Sequence, residues 1–533
     1  CSLPNEVEDT HKLCAFQALV DAPVHLSHEA CANDSNLLHG FSTLPLEPSL
    51  FQAADTLQGS IIGASMSGFS TPLPSLMRAG LLASVLAGLA CSGSGQSRIS
   101  SFPGWKEHQE VRSQINQSLQ IARLTVRWTP EGNPAWQEGG QWVSYDPASK
   151  FTKNLDAAPP FERQGRRPPR GRQANEVSSP DGALKAVSRG GHVYLVKNGA
   201  ETQISKPEMG GPRIKHGQAS WVYGEELGQS DAMGFSSDGA FLWFYRFDET
   251  KVLDTHLTLG QSTPQTRLAV EAYPKPGQPN PEVDLYVAET ATGRLIKVPV
   301  RPAAFDDGIG HYVYDIRWRP NTNKLIFHRL DRRHKTRDIC SFDPKTGEAF
   351  QLDRETNSVG WVEEQSNLRF LEDQVGAKGA DLTAGLIISE DSGQGALYQL
   401  DLEKGGRKLL AQGAFDIRSY LRVDLERREV DVIANSSLRG MRQMHRLNLA
   451  TGQFRRITDP AYHHEVQVSP KGDLIVDRFS NLESPPKVQL IDGQGKVLIK
   501  LRDSDVSVLE RVKYPKAERF TFTSADGKTQ LNG

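Results

Sequence analysis

A short turn keeps returning in this chain, and it restricts the possible folds more than any other feature. Its full form is Ser179-Pro180-Asp181-Gly182. It recurs as Thr129-Pro130-Glu131-Gly132, Ser236-Ser237-Asp238-Gly239 and Ser469-Pro470-Lys471-Gly472, with Arg319-Pro320-Asn321 as a degenerate copy. Proline presets φ at the second turn position and glycine supplies a positive φ later, so each copy reverses the chain at little cost. A second turn, Asp343-Pro344-Lys345-Thr346-Gly347, recurs as Asn448-Leu449-Ala450-Thr451-Gly452 and, with glutamate, as Glu289-Thr290-Ala291-Thr292-Gly293. Between the turns lie short apolar runs: 192–196, 240–244, 283–288, 324–328, 397–402, 474–476 and 487–490. Long amphipathic helical patterns are nearly absent. Strand clusters recurring at about blade length predict an all-β chain folded as a β-propeller, whose radial repetition leaves only short, protected edges. A β-sandwich would use far fewer strands than this chain supplies.

At 533 residues the chain is too long for one ordinary compact core, which agrees with a repeat array. Its 47 glycines and 31 prolines suit many short strands and tight turns. A net charge of −2 gives no overall field towards nucleic acid or an anionic membrane. The five cysteines, Cys1, Cys14, Cys31, Cys91 and Cys340, show neither zinc-ligand spacing nor the even count of a disulfide framework. No metal and no cofactor is expected.

Residues 1–76 carry no sustained period, and Met77-Arg78 then opens an apolar run, Ala79 to Ala90, followed by Cys91 and Ser-Gly-Ser-Gly. A basic start, a short apolar stretch and small residues describe a secretory signal peptide, and the run is too short to span a bilayer. The expectation is therefore export to the periplasm or beyond, with 1–76 a disordered or non-native extension and 77–95 a signal peptide with its linker. Cys91 has two readings, the acylated first residue of a lipoprotein or a residue near an ordinary cleavage site; only the first ties the protein to a membrane. Residues 96–123 form an N-terminal segment and 124–512 the propeller. One interruption stands out at 158–173, where five arginines mix with proline and glycine. A solvated insertion between blades is the simpler reading, an electrostatic tether the other.

Chemistry concentrates in Trp221-Val222-Tyr223-Gly224-Glu225-Glu226-Leu227-Gly228. On a strand, adjacent carboxylates point to opposite faces and cannot serve one ligand. On a helical turn they diverge by about 100° and converge only on something at its tip. Trp221, Tyr223 and their apolar neighbours would anchor such a turn, and Gly224 and Gly228 would permit a tight excursion.

This segment resembles the Trp-Val-Tyr-x-Glu-Glu signature of the dipeptidyl peptidase IV family. The likeness continues in Ala272-Tyr273-Pro274-Lys275-Pro276-Gly277, in His311-Tyr312-Val313-Tyr314, in Arg332-Arg333 and in Trp361-Val362. It implies an eight-bladed propeller in which Glu225 and Glu226 hold the free α-ammonium group of a peptide whose N-terminal dipeptide, Xaa-Pro or Xaa-Ala, is released. A substrate-contacting arginine that the family carries earlier in the propeller matches no motif here. Residues 518–528 resemble the hairpin that opens the family's α/β-hydrolase domain, so 513–533 is expected to begin that domain. No Gly-x-Ser-x-Gly nucleophile elbow occurs, which predicts that the Ser-Asp-His triad belongs to a hydrolase domain missing from this chain. The resemblance also implies peptide substrates with a free N-terminus as partners, the hydrolase domain as an intramolecular one, and a homodimer. Other readings are an oligopeptidase or acylaminoacyl peptidase, which lack the paired glutamates, and a non-catalytic periplasmic binding propeller.

Overall fold

The computed structural model describes residues 102–160, 171–302, 310–364, 367–371, 383–435 and 440–533. Residues 1–76, the expected signal peptide with Cys91, and most of the arginine-rich interruption lie outside the described residues. Two compact units are present: one from Ile121 to Ser504, the other combining Cys1–Gln120 with Asp505–Gly533. In the second unit the described elements are a helix, Trp105–Ser118, a short helix, Ser507–Arg511, and a hairpin of Thr521–Thr523 with Gln530–Asn532. Among the described residues no helix is long and apolar enough to cross a membrane.

The Ile121–Ser504 unit is built almost wholly of antiparallel sheets of at least four strands, taken in chain order. They cover 127–155, 176–203, 214–298, 311–356, 369–411, 417–456 and 463–503. The two turn classes fall at fixed places in this pattern. Ser179, Ser236 and Ser469 stand between the first and second strands of their sheets. Each buried hydroxyl there accepts a strand amide, from Leu184 at 2.8 Å, Phe241 at 3.0 Å and Leu474 at 3.2 Å respectively. Asp343–Gly347 and Asn448–Gly452 close the third strand onto the fourth, with the glycine amide on the first turn carbonyl at 2.8 Å in both.

Neighbouring sheets pack through apolar clusters. Because side chains alternate along a strand, one strand feeds two clusters. Leu242 and Phe244 face the second sheet, whereas Phe241, Trp243 and Tyr245 face the fourth. Burial on both faces explains why Phe241–Phe247 reads as a nearly continuous apolar run. Further clusters join the fourth sheet to the fifth, the fifth to the sixth and the sixth to the seventh. The ring closes where Trp136, Val143 and Tyr145 of the first sheet meet Val476, Val488 and Leu490 of the seventh.

The propeller architecture thus stands, with seven blades among the described residues against the eight expected. Between the first and second blades, the described residues 156–160 and 171–175 contain no strand. Among the described residues no apolar cluster joins these two blades, and Phe151 on the first is 75% exposed. The third blade carries an insertion, a two-stranded ribbon of Asp254–Leu259 paired with Arg267–Ala272.

Candidate functional site

Between the edge strand Ile214–His216 and the strand Met233–Phe235, the chain leaves the third blade as a single helical turn, Trp221–Glu225, with Glu226 at its C-terminal boundary. Gly228 at φ 61° takes the left-handed conformation that ends the turn, and the Gln229 amide reaches back to the Tyr223 carbonyl at 2.9 Å. The carboxylate pair therefore sits at the C-terminal end of a helical turn.

Tyr223 is the root of the turn. It is 1% exposed and packs edge-on against Phe247 with ring centroids 4.7 Å apart. Its hydroxyl accepts the Val313 amide at 3.1 Å, while the Tyr245 hydroxyl donates to the Val313 carbonyl at 2.7 Å. Two tyrosines of the third blade's region thus satisfy both backbone groups of one residue on the fourth blade. Burial pushes the Tyr223 and Tyr245 hydroxyls well above their ordinary pKa, so both stay neutral. Gln229 adds a further tie by accepting the Asp315 amide at 3.2 Å. Trp221 is half-buried and meets the ring of Tyr273 edge-on at 5.2 Å.

Tyr273 follows the ribbon strand Arg267–Ala272, and its hydroxyl donates to Glu226 Oε1. Its pKa is pushed up to about 12, first by burial, then by that hydrogen bond and by the charges of Glu226 and Glu225. Glu226 thus bonds this hydroxyl directly, and the charge of Glu225 reaches it. Glu226 is exposed and Glu225 half-buried, so the pair opens to solvent on one side. Tyr312 lies on the far side of Tyr223, with centroids 6.1 Å apart, and its hydroxyl receives a hydrogen bond from Arg332. His334 packs edge-on to Tyr312 at 5.7 Å.

The structure thus gathers Trp221, Tyr223, Glu225 and Glu226 on one turn and adds Tyr273, which the sequence reading had noted only as part of a motif. The end of the 158–173 stretch, Gly171-Arg172-Gln173, lies across the acidic turn: Gln173 accepts the Ala219 amide at 3.1 Å and donates to the Gln229 carbonyl at 3.3 Å. With five arginines in the stretch, no spacing marks which of them is placed there. Among the described residues no group of His, Cys, Asp or Glu is arranged to hold a metal ion, and Cys340 is buried and free.

The model of the dipeptidyl peptidase IV N-terminal region matches residues 151–486, well over half the chain. The chain belongs to the dipeptidyl peptidase IV family. It is similar to the protein named "Probable dipeptidyl peptidase 4" of Neosartorya fischeri, 27% identical over 294 residues, covering 53% of this chain and 37% of the relative. Dipeptidyl peptidase 4 of Trichophyton tonsurans is 23% identical over 346 residues, 63% of this chain and 43% of that one. The chain therefore spans less than half the length of these relatives. Among solved structures, dipeptidyl peptidase 4 of Porphyromonas gingivalis aligns with a TM-score of 0.58 at 19% identity, over 80% of this chain and 66% of that one. That likeness establishes the shared fold.

Proposed function

We propose that this dipeptidyl peptidase IV family propeller captures the free N-terminus of a peptide at Glu225 and Glu226, as the gating half of a serine exopeptidase that releases N-terminal dipeptides. The observation that carries the reading is the placing of the adjacent Glu225 and Glu226 at the end of one helical turn, with Glu226 held by the Tyr273 hydroxyl. Tyr273 occupies one oxygen of Glu226 and steadies that carboxylate. The remaining oxygen of Glu226 and the neighbouring Glu225 carboxylate together suit a primary ammonium, which brings three donors and a full positive charge. Hydrogen bonds of this charge-assisted kind are each worth about 1.5–3 kcal/mol.

An acetylated N-terminus or an internal peptide segment carries no such charge and leaves the two carboxylates facing each other uncompensated. Fixing the ammonium would fix how far along the peptide a nucleophile reaches. Dipeptide release in the whole protein follows from that measuring role, and Xaa-Pro or Xaa-Ala ends are what the family resemblance implies. The test is steady-state kinetics of the whole protein on free and N-acetylated peptides. Glu226→Ala should raise KM and lower kcat/KM for free peptides. Identical behaviour of variant and wild type towards both peptides would overturn the reading.

A further inference from the structure

The strap formed by Gly171-Arg172-Gln173 does more than cover the acidic turn. Arg172 grips Glu271 with both guanidinium ends, Nη1 to Oε2 at 3.1 Å and Nη2 to Oε1. Glu271 lies on the inserted ribbon and its side chain is only 9% exposed, whereas that of Arg172 is 48% exposed. Glu271 stands in the ribbon strand Arg267–Ala272, two residues before Tyr273, whose hydroxyl reaches Glu226. The strap is pressed onto the turn as well. A Cβ on Gly171, at φ 71°, would come within 2.2 Å of the Trp221 indole nitrogen, and one on Gly224 within 2.6 Å of the Gly171 carbonyl carbon. Trp221 in turn meets Tyr273 edge-on. Strap, turn and ribbon thus form a closed circuit: Arg172 to Glu271, Glu271 along the strand to Tyr273, Tyr273 to Glu226 and Trp221, and Trp221 back to Gly171.

We infer that Arg172 is a positioning residue of the peptide-capture site, setting through Glu271 where the ribbon places Tyr273 and hence how Glu226 presents its free oxygen. This rests on the ammonium-binding role proposed for Glu225 and Glu226. A planar guanidinium on a carboxylate fixes orientation as well as distance, which a lysine ammonium does not. The ribbon is two strands only, and an isolated two-stranded hairpin is at best marginally stable. An anchor at its base therefore governs where its end residues sit.

The whole protein, its Arg172→Ala and Arg172→Lys variants and the double variant Arg172→Ala/Glu271→Gln separate positioning from simple stabilisation. Arg172→Ala strands a buried carboxylate, so both melting temperature and affinity for a free Xaa-Pro tripeptide should fall, the affinity about tenfold, the size of one charge-assisted hydrogen bond lost. Adding Glu271→Gln removes the stranded charge: melting temperature should recover, and affinity should stay low because no fork remains. Arg172→Lys should keep the charge and most of the stability, with affinity still reduced. In a double-mutant cycle, Arg172→Ala and Tyr273→Phe should be non-additive. Unchanged affinity in Arg172→Ala, affinity that recovers together with stability in the double variant, or full additivity with Tyr273→Phe would each overturn the inference. Glu226→Gln, titrated in parallel, keeps the two claims apart. If it loses affinity while Arg172→Ala does not, the positioning role alone fails; if it binds as wild type does, the ammonium reading fails first.

Discussion

The junction between the third and fourth blades and that between the fifth and sixth do the same mechanical job with different chemistry. Between the fifth and sixth blades the buried cluster is aliphatic, with Leu386, Ile388, Leu397, Val430 and Val432 at its heart. Between the third and fourth it is aromatic, built on Tyr223, Trp243, Tyr245, Phe247, Tyr312 and Tyr314. Aliphatic packing is non-directional and holds blades together. Buried tyrosines also need partners for their hydroxyls, and here those partners are the amide and carbonyl of Val313. A junction that fixes direction as well as contact can carry a short excursion such as the acidic turn at a defined angle. Among the described residues the plain junction carries none.

The sharpest way to break this comparison is to delete one root from each junction. Tyr223→Ala should cost about 3–5 kcal/mol, as for other buried aromatics, and Leu397→Ala about 2–5 kcal/mol, both read by denaturant unfolding. Only Tyr223→Ala should also abolish capture of a free-amino peptide. Equal loss of capture in the two variants would show that the aromatic junction has no special role. Next in size is Glu226→Gln, expected to weaken binding of a free-amino peptide about 10–100-fold by titration, with stability unchanged within about 0.5 kcal/mol. Tyr245→Phe leaves the buried Val313 carbonyl without its donor and should cost about 1–3 kcal/mol of unfolding free energy.

The smallest effects separate the junctions by pH. His445 stacks beside Phe454 and Phe415 at the fifth–sixth junction, and burial lowers its pKa to about 4. Its neutral form is favoured on folding, so its contribution is present above the unfolded value of about 6.5 and is lost as pH falls towards 4. Tyr273 shifts the other way. Its raised pKa gives a contribution present below the unfolded value of about 10 and lost as pH climbs to about 12. Stability curves of His445→Phe and Tyr273→Phe against wild type should therefore diverge on the acid limb and the alkaline limb respectively.

Much of this fold was legible because turn chemistry is local. Ser179, Ser236 and Ser469 each cap the amide five residues on, and a motif of that span is visible in a linear sequence. The same holds for Trp221–Glu226, whose adjacency forces the choice between strand and helical turn. What stayed hidden depends on distant partners. Glu226 meets Tyr273 across 47 residues, and Arg172 meets Glu271 across 99, pairings created by the inserted ribbon and the strap.

The central claim is that two neighbouring carboxylates share one ammonium group. A crystal structure of the protein with a free-amino Xaa-Pro tripeptide bound tests it most directly. The account predicts the peptide nitrogen about 2.7–3.2 Å from an oxygen of Glu225 and from one of Glu226, with Tyr273 still donating to the latter. A tripeptide seated with its nitrogen away from this turn, or held by neither carboxylate, would contradict it.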